Sequence, residues 1–427
     1  RVSFNSIYFC RRYTRMGNGM SNFTDFIGGG GGGGGLYGGV LMEIPLTRSQ
    51  TFVPPRNGTV NIICIGAGGS GSYCWQPTGT IATGGGAGGL CIKEGLDVTT
   101  SSSFTVTIGA GGASVYAATA NDGNAGGNTT VAGTGLSATL TANGGGGGKQ
   151  GFITENGAAG GAGGTASNGD INRTGGAGGT VGAGLVTGAN RGLLELATGG
   201  GAVAILTSTG YAGGSITLAS GGSKFTNDMY LATGGAGIGG RGGGVHEVNG
   251  NLAQNLLGFN GGGANYAGYD KMTQYDWVAN GTNVSSSGIG EAFSYLYRDA
   301  SLIGKQVAVG GAGNTANETP GNGGGGRAQS NNSSDNSFYN NFQTPSMGAG
   351  GGGYAGNSAN KAGGYGGAFA GGGGTVQYQQ QTQSAKTGDG GVGGGGGGMI
   401  NFDGSGRIGL SGQGGPGMVF IHYTAYA

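Results

Sequence analysis

The sequence predicts a mainly β protein with little α-helix, in which a small β-sandwich framework carries inserted glycine-rich tracts. Three observations predict it. Of 427 residues, 116 are glycine, several times the ordinary share of ~7%. A strand signal runs straight into glycine in Thr59-Val60-Asn61-Ile62-Ile63-Cys64-Ile65-Gly66-Ala67-Gly68-Gly69. The far end reverses this order, with Gly414-Gly415-Pro416-Gly417 followed by Met418-Val419-Phe420-Ile421-His422-Tyr423. The two ends therefore frame one module.

Composition narrows the class. Charged residues are 9% and aromatics 8%, whereas a disordered tail is highly charged and poor in aromatics. Collagen is excluded, because Gly-X-Y period three is absent and only 7 residues are proline. With a net charge of +1, no electrostatic case exists for nucleic acid or an acidic membrane. No run of ~18 apolar residues predicts a membrane helix. Residues 1–12 lack the pattern of a secretory signal, and Met20-Ser21-Asn22 would make a natural start. Four cysteines, Cys10, Cys64, Cys74 and Cys91, are too few for a disulfide framework in so long a chain. Cys64 and Cys91 fall on strands that could be neighbours, and free buried thiols are expected.

In chain order, residues 1–50 read as an N-terminal arm with a glycine run at 28–35, and 51–427 as the glycine-rich domain. Residues 40–53 look extended. Strand signals follow at 59–65, 90–93, 103–108, 128–132, 137–141, 215–218, 306–309 and 418–423. Phe104-Thr105-Val106-Thr107-Ile108 alternates strictly, as a half-buried strand does. Short helices are candidates only at 252–257 and 289–297.

Glycine tracts separate these signals, among them 84–89, 144–148, 160–164, 175–184, 234–244, 363–374 and 388–398. Glycine is the costliest residue to order, so a disordered chain is one reading. The other is a packed bundle of polyglycine-II helices. Such helices have three residues per turn and no internal hydrogen bonds, and their backbone groups must then bond laterally. Absent side chains allow that approach.

The segments between tracts have a different composition. Those at 264–279, 330–346, 375–387 and 72–78 concentrate aromatic, Asn, Ser and Gln residues. The candidate binding residues are Trp75, Tyr266, Tyr269, Tyr275, Trp277, Phe338, Tyr339, Phe342 and Tyr378. This is the palette of recognition loops, in which aromatics give rigid contact area and small polar residues adaptable hydrogen bonds. The same aromatics would also serve to cover the bundle ends.

Motifs of chemistry are weak. Gly66-Ala67-Gly68-Gly69-Ser70-Gly71 fits G-x-G-x-x-G after a strand, but Tyr73-Cys74-Trp75-Gln76-Pro77 follows instead of a helix. Gly144 to Lys149 fails the P-loop pattern at Asn143 and Gln150. The histidines are His246 and His422, and Asp389 and Asp403 lie in no Ca²⁺-binding repeat. Neither cofactor nor metal is expected, and no catalytic residue is assigned.

The order of these anchors resembles the glycine-rich domain of bacteriophage tail fibres and tail-tip adhesins. The resemblance rests on the opening from Phe52 to Gly69, on Phe104-Thr105-Val106-Thr107-Ile108-Gly109-Ala110-Gly111-Gly112, and on the close from Gly415 to Tyr423. It departs at Pro54-Pro55-Arg56-Asn57, where the family holds one proline. It implies a virion protein of the distal tail fibre or tail tip. Its partners would be a bacterial surface receptor, protein or glycan, and other tail-fibre proteins, with a homotrimer as one assembly. Neither nucleic acid nor membrane insertion is implied. A purely structural fibre or sheath protein is the alternative. A receptor ectodomain and a depolymerising tailspike lack their expected signals.

Overall fold

The computed structural model describes residues 41–74, 80–116, 121–152, 157–182, 194–203, 210–216, 229–237, 242, 256–258, 266–267, 282–283, 350–356, 363–378, 387–402 and 409–426. The compact unit runs from Val40 to Tyr426. Residues 41–50, assigned to the arm from sequence, therefore belong to the domain. The described elements are strands and extended tracts, with no α-helix among them.

One end of the unit is a β-sandwich of two five-stranded sheets. In the first, the order is Leu41–Leu46, Met418–Ala425, Gly58–Ile65, Leu90–Val98 and Ile171–Arg173, antiparallel throughout. The closing strand thus lies beside the opening one, a pairing that goes beyond the expectation that the two ends frame one module. The second sheet orders Ala166–Ser167, Leu140–Ala142, Thr129–Gly133, Phe104–Thr107 and Gln50–Phe52. Between them Val60, Ile62, Phe104, Val106, Val131 and Ile421 are buried. The alternation in Phe104–Thr107 is realised, with Phe104 and Val106 inward and Thr105 and Thr107 exposed.

The unbroken apolar run Ile62-Ile63-Cys64-Ile65 has a second cause. Ile63 and Ile65 face away from the sandwich and pack with Phe369, Val203 and Phe420 against the base of the glycine tracts. This half of the sheet is buried on both faces, so alternation gives way to a continuous apolar stretch. The candidate 90–93 extends into one strand over Leu90–Val98. Gly95 stands at φ 59°, beside a register irregularity between Val60 and Ile62. Its N–H donates to Asn61 Oδ1 at 2.8 Å.

Cys64 and Cys91 lie directly opposite each other, and with Cys74 they are free and buried. Their thiols donate to the carbonyls of Thr129 and Ser167, each at 3.2 Å. Burial pushes the Cys91 thiol up to about 11 and also raises the Cys64 thiol well above its ordinary range. Cys10 lies outside the described residues.

The glycine tracts leave the sandwich and bond to one another with a period of three. In 66–72, Gly66 and Gly69 donate to Gly89 and Gly86 at 2.9 and 2.8 Å. Ala67 and Ser70 donate to Gly127 and Asn124, and Gly68 and Gly71 to Gly415 and Gly412. Successive residues thus address three neighbours in turn. Three further tracts donate back, through Gly145 and Gly148 to Ala67 and Ser70, Gly112 to Gly68, and Gly396 to Gly69. Tract 83–89 likewise bonds to six tracts. This is a laterally bonded polyglycine-II bundle, its three-residue repeat set by the helix itself. The descending partner numbers of 89 and 86 mark an antiparallel neighbour, and the ascending pair 67 and 70 a parallel one.

The other end of the bundle is closed by two small sheets. One orders Tyr354–Gly356, Thr375–Tyr378, Met399–Phe402 and Tyr73–Cys74, all parallel. The other orders Gln150–Phe152, Thr80–Ala82, Leu194–Ala197, Met229–Ala232 and Leu256–Gly258, its last four parallel. Cys74, Val376 and Ile400 pack on Ala82, Ala197 and Ala232. Most of these strands carry no signal legible in advance. Three expectations change: 137–141 narrows to the strand Leu140–Ala142, 215–218 begins as tract with an isolated bridge from Ile216 to Val181, and 252–257 ends in the strand Leu256–Gly258 rather than a helix. The candidates 289–297 and 306–309 lie outside the described residues.

Candidate functional site

The bundle gives the unit two unlike ends. Chain enters at Leu41, opposite Thr424, and leaves after Ala425, opposite Gly58. Both positions are on the side of the sandwich away from the bundle, since Ile65 pairs with Met418 where the tracts begin. At the opposite, distal end the chain turns back repeatedly. The segments 75–79, 153–156, 183–193, 217–228, 357–362, 379–386 and 403–408 each adjoin a strand of the closing sheets on at least one side. Residues 117–120 are flanked there by Val115 and Tyr116 on one side and Asn121 on the other. The N–H and C=O of Asn121 bridge Tyr73.

The closing sheets are joined to the bundle by threonine hydroxyls. Ile81-Ala82-Thr83-Gly84, Leu196-Ala197-Thr198-Gly199 and Leu231-Ala232-Thr233-Gly234 stack in parallel register. Thr198 Oγ1 accepts from Gly84 N at 2.9 Å and donates to Gly179 O at 2.8 Å. Thr233 Oγ1 accepts from Gly199 N and donates to Gly214 O at 2.6 Å. Thr83 Oγ1 accepts from Lys149 N and donates to Ala159 O. The hydroxyl supplies the donor and acceptor that the bundle loses where tract becomes strand. The recurring Ile/Leu-Ala-Thr-Gly-Gly was the sequence signal for this seam.

The predicted binding residues divide by location. Trp75 lies outside the described residues, in a segment that begins after Cys74 and ends before Thr80 at the distal end. Tyr378 ends the strand Thr375–Tyr378 of a closing sheet. Tyr266 lies in a two-residue strand opposite Asn283. Tyr269, Tyr275, Trp277, Phe338, Tyr339 and Phe342 lie outside the described residues. So do His246 and Asp403.

The phosphate-binding patterns have another use. The N–H groups of Gly66, Gly68, Gly69 and Gly71 all donate to neighbouring tracts, as do those of Gly145, Gly146 and Gly148. None of these is free to cradle a phosphate. His422 is 2% exposed on the closing strand, opposite Glu43 and Asn61. Asp389 Oδ1 accepts from Gln413 N at 2.8 Å. Among the described residues no cluster of three His, Cys, Asp or Glu side chains is arranged for a metal, and no helix is long and apolar enough to cross a membrane.

The described distal side chains include one ion pair, Lys149 Nζ to Asp122 Oδ2 at 2.8 Å. Asp122 Oδ1 also accepts from Gln150 N. Sequence reading passed over this carboxylate, because its partners lie 27 and 28 positions away. No family model and no curated protein matches this chain.

Proposed function

We propose that this chain is a bacteriophage tail-fibre or tail-tip adhesin that recognises a receptor on the bacterial surface. The observation that carries the reading is the polarity of the unit. A bundle with laterally bonded backbone separates the end where the chain enters and leaves from the end where it turns back. Recognition on loops held by a rigid scaffold is a recurring solution. Two of the aromatic and polar segments, 72–78 and 375–387, include strands of a distal closing sheet, Tyr73–Cys74 and Thr375–Tyr378. The entry end suits attachment to other proteins of the fibre. Binding rather than catalysis is the proposed activity, with a surface protein or glycan as receptor and the virion as location. A purely structural fibre gives no reason for aromatic, Asn, Ser and Gln residues to gather between glycine tracts.

The test is adsorption. Alanine at Tyr269, Tyr275, Trp277 and Tyr339 removes the aromatic anchors chosen from sequence, where interfaces concentrate their energy at ~2 kcal/mol or more per residue. The expected outcome is loss of binding to host cells with protease resistance retained. If all four variants fold and adsorb normally, these loops are not the recognition surface.

A further inference from the structure

We propose that Tyr116, with Asn121 and Asp122, forms a sugar-binding platform on the distal end, for a neutral pyranose of a surface glycan. The inference rests on the adhesin reading, and it adds a site on the bundle itself to the loops named above.

The position follows from the helix period. In tract 109–116 every third residue points outward, and the exposed ones are Ala110, Ala113 and Tyr116. The tract keeps small residues there until its last turn, where it places an aromatic that is 60% exposed. Among the described residues only Val53 and Tyr426 are comparable large exposed hydrophobics. Both belong to the sandwich end, and Tyr426 donates its hydroxyl to Asp97. Tyr116 therefore stands exposed where scaffold packing has no use for it.

Its surroundings are fixed. Val115 N donates to Ser411 Oγ at 2.9 Å, and Ser411 N donates to Val115 O at 3.0 Å. Asn121 exchanges backbone bonds with Tyr73 at 2.8 and 2.9 Å. Tract 122–128 runs antiparallel to 109–115, with Gly109 beside Gly127 and Gly112 beside Asn124. This register puts Val115 opposite Asn121, and Tyr116 one residue further along its tract. Asp122 is exposed on the same neighbouring tract, held by Lys149 and Gln150 N. The bonded backbone thus brings an exposed tyrosine, an asparagine and an aspartate paired with a lysine to the same end of neighbouring tracts.

That set matches a sugar. A tyrosine ring offers a flat apolar face and a polar tip. The C–H face of a pyranose stacks on the ring, and carboxylate, amide and ammonium groups meet its hydroxyls. A protein partner needs ~800 Å² on each side. The other exposed residues of the two tracts are Ala110, Ala113, Asn124, Ala125 and Asn128, none of them a second large apolar anchor. A single aromatic is the size of a monosaccharide.

The experiment is ligand-observed NMR on the purified full chain with four probes: the methyl α-pyranosides of glucose, galactose and mannose, and methyl N-acetylglucosaminide. At least one is expected to bind saturably. Tyr116→Ala should weaken it at least about tenfold while thermal unfolding is unchanged, Tyr116→Trp should retain it, and Asp122→Asn should weaken it. No saturable binding by any probe overturns the platform, as does equal binding by Tyr116→Ala. Adsorption separates this from the adhesin reading. If the loop variants lose adsorption while no sugar binds, the platform alone is wrong. If sugar binding depends on Tyr116 while the loop variants adsorb normally, the platform stands and the loop assignment falls.

Discussion

At the scale of single residues, the hydroxyl of Thr198 shows how bundle and sheets are joined. It satisfies Gly84 N and Gly179 O together, and it is fully buried. Valine has nearly the same shape and neither bond. An unmade bond at a buried group costs about 1–3 kcal/mol. Thr198→Val should therefore lower the free energy of unfolding from urea titration by that order, whereas Thr198→Ser should keep most of the stability. A valine variant as stable as the parent would remove the hydroxyl from the account. This seam was legible in principle, because Ile/Leu-Ala-Thr-Gly-Gly recurs three times. Tyr116 was less so. Its position is meaningful only once the outward third residue of the tract is known.

At the scale of elements, the three-residue period decides what each tract tolerates. Tracts 66–72 and 83–89 are buried throughout, and their side chains are limited to Ala67, Ser70, Ser72, Thr83 and Ala87. Peripheral tracts differ. In 157–165, Ala159, Ala162 and Thr165 are exposed, while Ala158, Gly161 and Gly164 are buried. A Cβ at Gly161 would strike the Gly146 carbonyl oxygen and the Gly86 nitrogen. Adjacent positions thus give opposite predictions. Gly161→Ala should cost about 3 kcal/mol or more, since backbone cannot yield as a side chain does. Ala162→Ser should change stability by less than about 0.5 kcal/mol. Denaturant titration of the two variants checks the pair, and equal effects would contradict the packing. The period is local to each tract, and for that reason no chain-wide Gly-X-Y repeat betrays it. Strands with their own alternation, such as Phe104–Thr107, were readable. Strands of two to four residues such as Tyr73–Cys74 and Thr80–Ala82 were not, because the register of the tracts behind them brings them together.

At the scale of the whole molecule, the sequence showed a β framework, inserted glycine and two strand-bearing ends that frame one module. It did not show the parallel sheets that close the far end, since their pairing joins residues as distant as Tyr73 and Met399. Nor did it show that the loops flanking 74, 80, 378 and 387 share one end. The central claim is that the glycine is a bonded solid rather than a linker. Backbone amide hydrogen exchange on the native chain tests it most directly. Residues 66–72 and 83–89 are buried, and their N–H groups have partners in other tracts. Their amides should exchange as slowly as those of strand Gly58–Ile65. Exchange of these tracts within seconds, with the sandwich still protected, would contradict the bundle and leave the glycine as linker.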